Sequence, residues 1–169
     1  MKISVYIISH NYGKFVMQAI KSVINQTYSN WELILVDNSS TDNTLEIFKK
    51  FKKHKKVKII SLNNKNFPQA CNIAVKKASG EYVIRLDGDD YFDHNILKVF
   101  SGYLEKNKKT ALLFSDYFFI SSDNKIISYE WTEKKGNNKH KILPPNGACC
   151  LIRKRFLKEA GFYREDLGA

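Results

Sequence analysis

Between Ile3 and Leu86 the chain alternates four short apolar runs with three segments of helical spacing, and this alternation leaves few folds open. Ile3 to Ser9, Trp31 to Val36, Val57 to Leu62 and Tyr82 to Leu86 are rich in β-branched and aromatic residues and read as strands. Lys14 to Asn25 places Phe15, Ala19, Ile20, Val23 and Ile24 at helical spacing. Ser39-Ser40-Thr41-Asp42 is a helix-start signal, followed by Leu45, Phe48 and Phe51 on one face with Ile47 beside them. Pro68 to Ser79 carries Ala70, Ile73, Ala74 and Ala78 along one stripe, with Gly80 at a C-cap position. The order β-α-β-α-β-α-β predicts an α/β fold, a mainly parallel sheet with helices on both faces.

Ligands of such sheets bind outside the carboxyl ends of the strands. Three polar clusters fall there: Ser9-His10-Asn11, Asp37-Asn38-Ser39 and Asp87-Gly88-Asp89-Asp90. The last gathers three carboxylates within four positions, and like charges so close repel unless something neutralises them. A hard cation such as Mg²⁺ or Mn²⁺, shared with substrate phosphates, is one remedy. A solvated acidic turn is the bland alternative, since Asp-Gly is a strong turn dipeptide. The convergence of the three clusters favours a site.

After Asp93 the pattern is less regular. Ile96 to Leu104 and Lys154 to Ala160 read as helices, the second stopped by Gly161. Leu112 to Phe114, Tyr117 to Ile120, Lys125 to Tyr129 and Ala148 to Ile152 read as strands, and Glu133 to Lys141 as a loop. At 169 residues this is one domain with a sizeable core. No apolar run approaches the roughly eighteen residues that span a bilayer, and the N-terminus enters a strand directly, so a cytoplasmic chain is expected. Cys71, Cys149 and Cys150 form neither a disulfide framework nor a zinc spacing, and are expected to act as small apolar residues. The net charge of +11 admits anionic partners. Much of it sits in Lys49 to Lys56, either a helix end decorated with lysines or a surface for anionic membrane. No nucleic-acid motif accompanies it.

The chain resembles the inverting glycosyltransferases of the large family 2, which have the GT-A (nucleotide-diphospho-sugar transferase) fold. Four segments carry the resemblance: Ile3 to Tyr12, ending in Ser9-His10-Asn11-Tyr12; Ala19 to Tyr28, with Ser22 and Gln26-Thr27-Tyr28; Trp31 to Thr44, with Val36-Asp37-Asn38; and Ala78 to Asp90, with Gly80-Glu81-Tyr82 and the Asp-x-Asp motif. A weaker echo runs from Pro144 to Tyr163, through Asn146-Gly147-Ala148 and Ala160-Gly161-Phe162. The resemblance implies a Rossmann-like domain with a nucleotide-sugar-binding half over 1–94 and part of an acceptor-binding half over 95–169. It implies a metal-assisted hexosyltransferase of the type used in polysaccharide biosynthesis. The donor would be a nucleotide-diphosphate sugar, UDP- or dTDP-linked, and the acceptor a glycan or lipid-linked hydroxyl.

By the same resemblance, Asp37 and Asn38 hold base and ribose, Ser9 and Asn11 hold the base or shape the loop, and His10, in place of a more usual Tyr, either packs against the base pocket or contacts the ligand. Asn38 replaces a more usual Asp. Asn66 stands where many relatives have Gly, so a left-handed backbone is expected there. Cys71 replaces a common Arg, while Asn72 is retained, and Asn66 and Asn72 are both expected among the residues that bind the nucleotide-sugar. Asp89 and Asp90 are the expected metal ligands, with Asp87 in support, and Asp87 and Asp89 on the donor. Glu165 and Asp166 are the acids nearest the expected place of the general base, which in relatives also falls several residues later, here beyond Ala169. Two alternatives stand beside transfer. One is a donor-binding module without activity. The other, a nucleotidyltransferase, is disfavoured because Ser-His-Asn-Tyr-Gly-Lys replaces a Gly-rich, Arg-containing phosphate loop. Ser115-Asp116-Tyr117 and Trp131 belong to the expected acceptor side. There Trp131 is either a sugar-stacking ring or a core residue.

Overall fold

The computed structural model describes residues 1–121, 123, 125–130 and 149–167. Strands β1 (Ile3–Ser9), β2 (Trp31–Asn38), β3 (Val57–Leu62) and β4 (Tyr82–Arg85) alternate with helices α1 (Val16–Ile24), α2 (Thr44–Lys49) and α3 (Phe67–Lys77), as the spacing predicts. Helix α4 (Ile96–Lys106), strands β5 (Leu112–Leu113), β6 (Tyr117–Ile120), β7 (Ile126–Glu130) and β8 (Leu151–Arg153), and helix α5 (Lys154–Glu159) follow. The main sheet has the order β3-β2-β1-β4-β8-β5. β1 pairs in parallel with β2 and β4, β2 pairs in parallel with β3, and β8 runs antiparallel to β4 and β5. A separate hairpin joins β6 and β7.

β1 is buried along its whole length, so both of its faces are covered. On one face Ile3, Val5, Ile7, Leu33, Leu35 and Ile84 pack against α1, α2 and α4. On the other Tyr6, Ile8, Ile34, Val36 and Val83 pack against Ala70, Cys71, Ala74 and Val75 of α3. Alternate residues of one strand thus feed two cores, which is why these strands read as continuous apolar runs. The chain winds from β1 out to β3 and then crosses to β4 on the other side. The strand order reverses at β1, where open α/β sheets form their ligand crevice.

Three local expectations are corrected. α2 begins at Thr44, and its buried stripe is Thr44, Ile47 and Phe48, with Leu45 only half-buried. The reason is local: Asp42 Oδ1 accepts the Thr44 amide at 2.9 Å, so Ser39 to Asp42 forms a loop before the helix. Gly80 does not cap α3, whose C-cap is Ala78. It is small because a Cβ would stand 2.6 Å from Ser4 Oγ and 2.8 Å from the Lys2 carbonyl oxygen. Asn66 is extended (φ −66°, ψ 161°) and is the N-cap of α3. Its Oδ1 accepts the Gln69 amide at 2.9 Å while Gln69 Oε1 accepts the Asn66 amide at 3.2 Å, a reciprocal capping box. Gly161 does stop α5, at φ 83°.

At the amino end of the parallel strands one charge ties four elements together. Glu32 of β2 is 3% exposed. Its carboxylate accepts from Ser4 Oγ at 2.6 Å, the Ser79 amide at 2.5 Å and Ser79 Oγ at 2.9 Å, and Lys58 Nζ of β3 lies 2.9 Å away. Burial alone would raise the pKa of this carboxyl. The bonds from Ser4, Lys58 and Ser79 together outweigh it and hold the group well below the usual carboxylate range. A depressed carboxyl contributes stability that is present above its ordinary pKa and is lost as pH falls. Glu32→Gln should therefore lower unfolding free energy by about 2–4 kcal/mol at pH 7 in urea titrations, with the difference from wild type shrinking below pH 4.

Candidate functional site

The carboxyl ends of β1, β2 and β4 open into a cleft of about 350 Å³ lined by His10, Tyr12, Asn38, Phe67, Asp87 and Gly88, with Ile8 and Asn64 completing it. In-register pairing sets Ser9 beside Asp37 at the carboxyl ends of β1 and β2, next to the lining residues Ile8 and Asn38. Both side chains are buried, and Ser9 Oγ and Asp37 Oδ1 have no hydrogen-bond partner. Unpaired buried oxygens are costly, so a polar partner at this point would relieve both.

The amides flanking this pair are already engaged. Asn38 Nδ2 donates to the Lys65 carbonyl at 2.7 Å, and its Oδ1 accepts the Lys65 amide at 2.9 Å. A carboxylate at position 38 could not make the first of these bonds. Asn11, with φ 62°, accepts on Oδ1 from the Thr41 amide at 2.8 Å and the Asp42 amide at 3.2 Å. Asn11 thus shapes the loop that follows β2. His10 Nδ1 donates to the Asn38 carbonyl at 2.8 Å. Ser39 is also left-handed, at φ 62°, and its hydroxyl links the Leu62 carbonyl to the Asn64 amide. Held backbone of this kind is common where a ligand docks.

Asn66 and Asn72 are brought together with Glu165. Asn72 Nδ2 donates to Glu165 Oε1 at 2.8 Å and to the Tyr163 carbonyl at 2.9 Å, and its Oδ1 accepts the Tyr163 amide at 2.9 Å. Asn66 Nδ2 donates to the Glu165 carbonyl at 2.9 Å. The short 3₁₀ turn Glu165–Leu167 is thereby clamped to α3. Asp166 pairs with Arg164, whose guanidinium donates to Oδ1 at 3.1 Å and holds the carboxyl below its usual range.

The acidic loop divides two openings. Asp87 lines the cleft above β1, while Asp90 lines a second one, also about 350 Å³, with Phe92, Ser115, Asp116, Tyr117 and Cys149. Trp131, Asn146, Gly147 and Ala148 lie outside the described residues. Partial burial and the charges of Asp87 and Asp89 push the Asp90 carboxyl up to about 6, although the residue as a whole is exposed. Burial and the same three acids raise the Tyr12 phenol, so the cluster faces this ring. Among the described residues no group of three or more His, Cys, Asp or Glu side chains is arranged to hold a metal ion. Asp89 and Asp90 suit a cation that takes its remaining ligands from substrate phosphates. Of the cysteines, burial pushes the Cys71 thiol up to about 11 and the Cys149 thiol up to about 12, so neither is a ready nucleophile.

Glu32 and Arg85 are the residues that sequence reasoning missed. Each lies inside a motif segment, next to Trp31 and Leu86, but no local pattern assigns a partner to a charge inside an apolar strand. Lysines 49, 50, 52, 53 and 55 are exposed between α2 and β3, at the opposite end of the strands from the cleft. Among the described residues no helix is long and apolar enough to cross a membrane.

Comparison with known proteins agrees with this geometry. The family model "Glycosyl transferase family 2" matches residues 4–161. Chondroitin synthase of Escherichia coli is 30% identical over 132 residues, 76% of this chain and 19% of its own length. The chain thus spans well under two thirds of the curated relatives it matches. The crystal structure of S. aureus TarS 1-349 in complex with UDP superposes with a TM-score of 0.83 at 24% identity, over 100% of this chain and 52% of that one. The mannosyltransferase PcManGT from Pyrobaculum calidifontis, in complex with GDP-Man and Mn2+, superposes with a TM-score of 0.76 at 17% identity, over 99% of this chain and 49% of that one. Both likenesses establish the GT-A fold.

A carboxyl with a raised pKa favours the folded state at low pH, and this contribution is lost as pH rises through about 6. Asp90→Asn should raise the melting temperature by about 2–4 °C at pH 8, discounted for the exposure of the residue, and leave it unchanged at pH 4 by scanning calorimetry.

Proposed function

This chain belongs to glycosyl transferase family 2, and we propose that it binds a nucleotide-diphosphate sugar over β1, β2 and β4 for inverting transfer to a glycan or lipid-linked hydroxyl. One observation carries the reading: a single cleft is lined both by His10 and Asn38, on the side expected for the base, and by Asp87 and Gly88 of the acidic loop. The unpaired oxygens of Asp37 and Ser9, which adjoin the lining residues Asn38 and Ile8, suit the polar groups of a nucleoside. The UDP complex of TarS supports a uridine donor.

Asp89 and Asp90 would hold Mg²⁺ or Mn²⁺, which supplies charge neutralisation for a departing nucleoside diphosphate. The Mn2+ complex of PcManGT supports use of a divalent cation with this fold. Asp87, already paired with Arg85, sits on the donor side of the loop. The second opening, with Ser115, Asp116 and Tyr117, receives the acceptor. Transfer in one displacement breaks the bond from the anomeric carbon to the diphosphate as the acceptor oxygen bonds from the opposite side, and a base takes the hydroxyl proton. Asp166 is a poor proton acceptor because Arg164 stabilises its charged form, and Glu165 is bound by Asn72. Their engagement favours, for residues 1–169 by themselves, donor binding over turnover.

Calorimetric titration with UDP, dTDP, GDP and CMP, each with and without Mn²⁺, tests the site. We expect one diphosphate to bind in a metal-dependent manner and Asp89→Ala to weaken it at least tenfold, about 1.4 kcal/mol. Folded protein that binds none of them would overturn the reading. The exposed lysines 49–55 support peripheral contact with anionic lipid. Vesicles containing phosphatidylserine should sediment the protein at low salt, neutral vesicles should not, and no preference between them would exclude that contact.

A further inference from the structure

Arg85 reaches both walls of the cleft at once. It is the last residue of β4, and its side chain is 16% exposed. Its Nε lies 2.8 Å from Asp87 Oδ1, and its Nη2 donates to Asp87 Oδ2 at 3.3 Å. Nη2 makes the hydrogen bond, and Nε, which makes none, adds close charge contact, so the guanidinium and carboxylate are held as an ion pair. The guanidinium also lies over the Phe67 ring, 5.0 Å from the centroid. Phe67 opens α3 next to the Asn66 cap and lines the same cleft as Asp87. Its side chain belongs to a residue 46% exposed, a large apolar group that the fold leaves open to the cleft. Cys71 and Tyr6 are near enough to interact electrostatically with Arg85.

We propose that Arg85 is a positioning residue that locks Asp87 and Phe67 in place together, and that Phe67 is the stacking platform for the planar base of the donor. A ring backed by a guanidinium on one face keeps the other for a second flat partner. The acidic end and the aromatic wall then form one unit, because the same cation sets both. Arg85→Lys keeps the charge but loses the fork and the flat face. This inference rests on the cleft being the donor site, and it assigns the residues that make that site rigid.

The test is calorimetric titration of UDP with Mn²⁺ into wild type, Arg85→Lys, Phe67→Ala, Phe67→Tyr and the Arg85→Lys/Phe67→Ala double variant, each checked for its melting transition. Phe67→Ala and Arg85→Lys should each weaken UDP on the order of tenfold, while Phe67→Tyr retains binding. The double variant should bind no more than about twofold more weakly than the worse single variant, the signature of coupled groups. Folded Phe67→Ala that binds UDP like wild type, or losses that multiply in full, would overturn the proposal. Wild type that binds no nucleotide would overturn it together with the donor site itself. Wild-type binding with unaltered variants overturns this inference alone.

Discussion

Parallel pairing of β1 with β2 on one side and β4 on the other is the constraint on which the site depends. Parallel strands point their carboxyl ends the same way, so Ser9, Asp37 and the loop from Asp87 to Asp90 emerge on one edge. The pairing needs helical crossovers, and those crossovers bury both faces of β1. The apolar strands and the polar cleft thus have one cause. Glu32 secures the far end: its carboxylate joins β1, β3 and the turn before β4, so strand ends far apart in sequence are set at one level.

Charge is distributed unevenly over this frame. The acids gather at the carboxyl edge, where Arg85 is the cation seen on Asp87 and where Asp90 remains hard to ionise. The lysines of 49–55 sit at the amino edge. Such a dipolar arrangement keeps the basic surface away from the acidic loop. A cation bridging protein to diphosphate meets an acidic seat, even though the chain carries a net charge of +11.

The asparagines illustrate how identity and geometry diverge. Asn11, Asn38, Asn66 and Asn72 all lie in segments that resemble the family's donor-binding motifs. Their amide groups make contacts within the protein: Asn11 with the loop after β2 and the His10 ring, Asn38 with Lys65, Asn66 with Gln69 and Glu165, Asn72 with Tyr163 and Glu165. An amide can donate and accept at once, which suits it to clamp irregular chain. Of the four only Asn38 lines the cleft, next to the buried, unpaired oxygen of Asp37.

The order of the first four strands and three helices was legible because burial on two faces leaves continuous apolar runs, and because helical stripes repeat with their own period. The acidic loop was legible as well, since three carboxylates in four positions stand out against any background. The antiparallel β8 beside β4 was not. A three-residue strand carries too little pattern to reveal its neighbour, and β8 follows β4 by more than sixty residues. By itself the sequence determined the alternation of elements, the doubly covered parallel sheet and the clustering of polar residues at its carboxyl edge. Only the tertiary structure decided that Gly80 makes room for β1, that Glu32 joins β1, β3 and the turn before β4, and that Arg85 lies over Phe67. Those outcomes depend on contacts between residues distant in the chain, and local periodicity does not encode them.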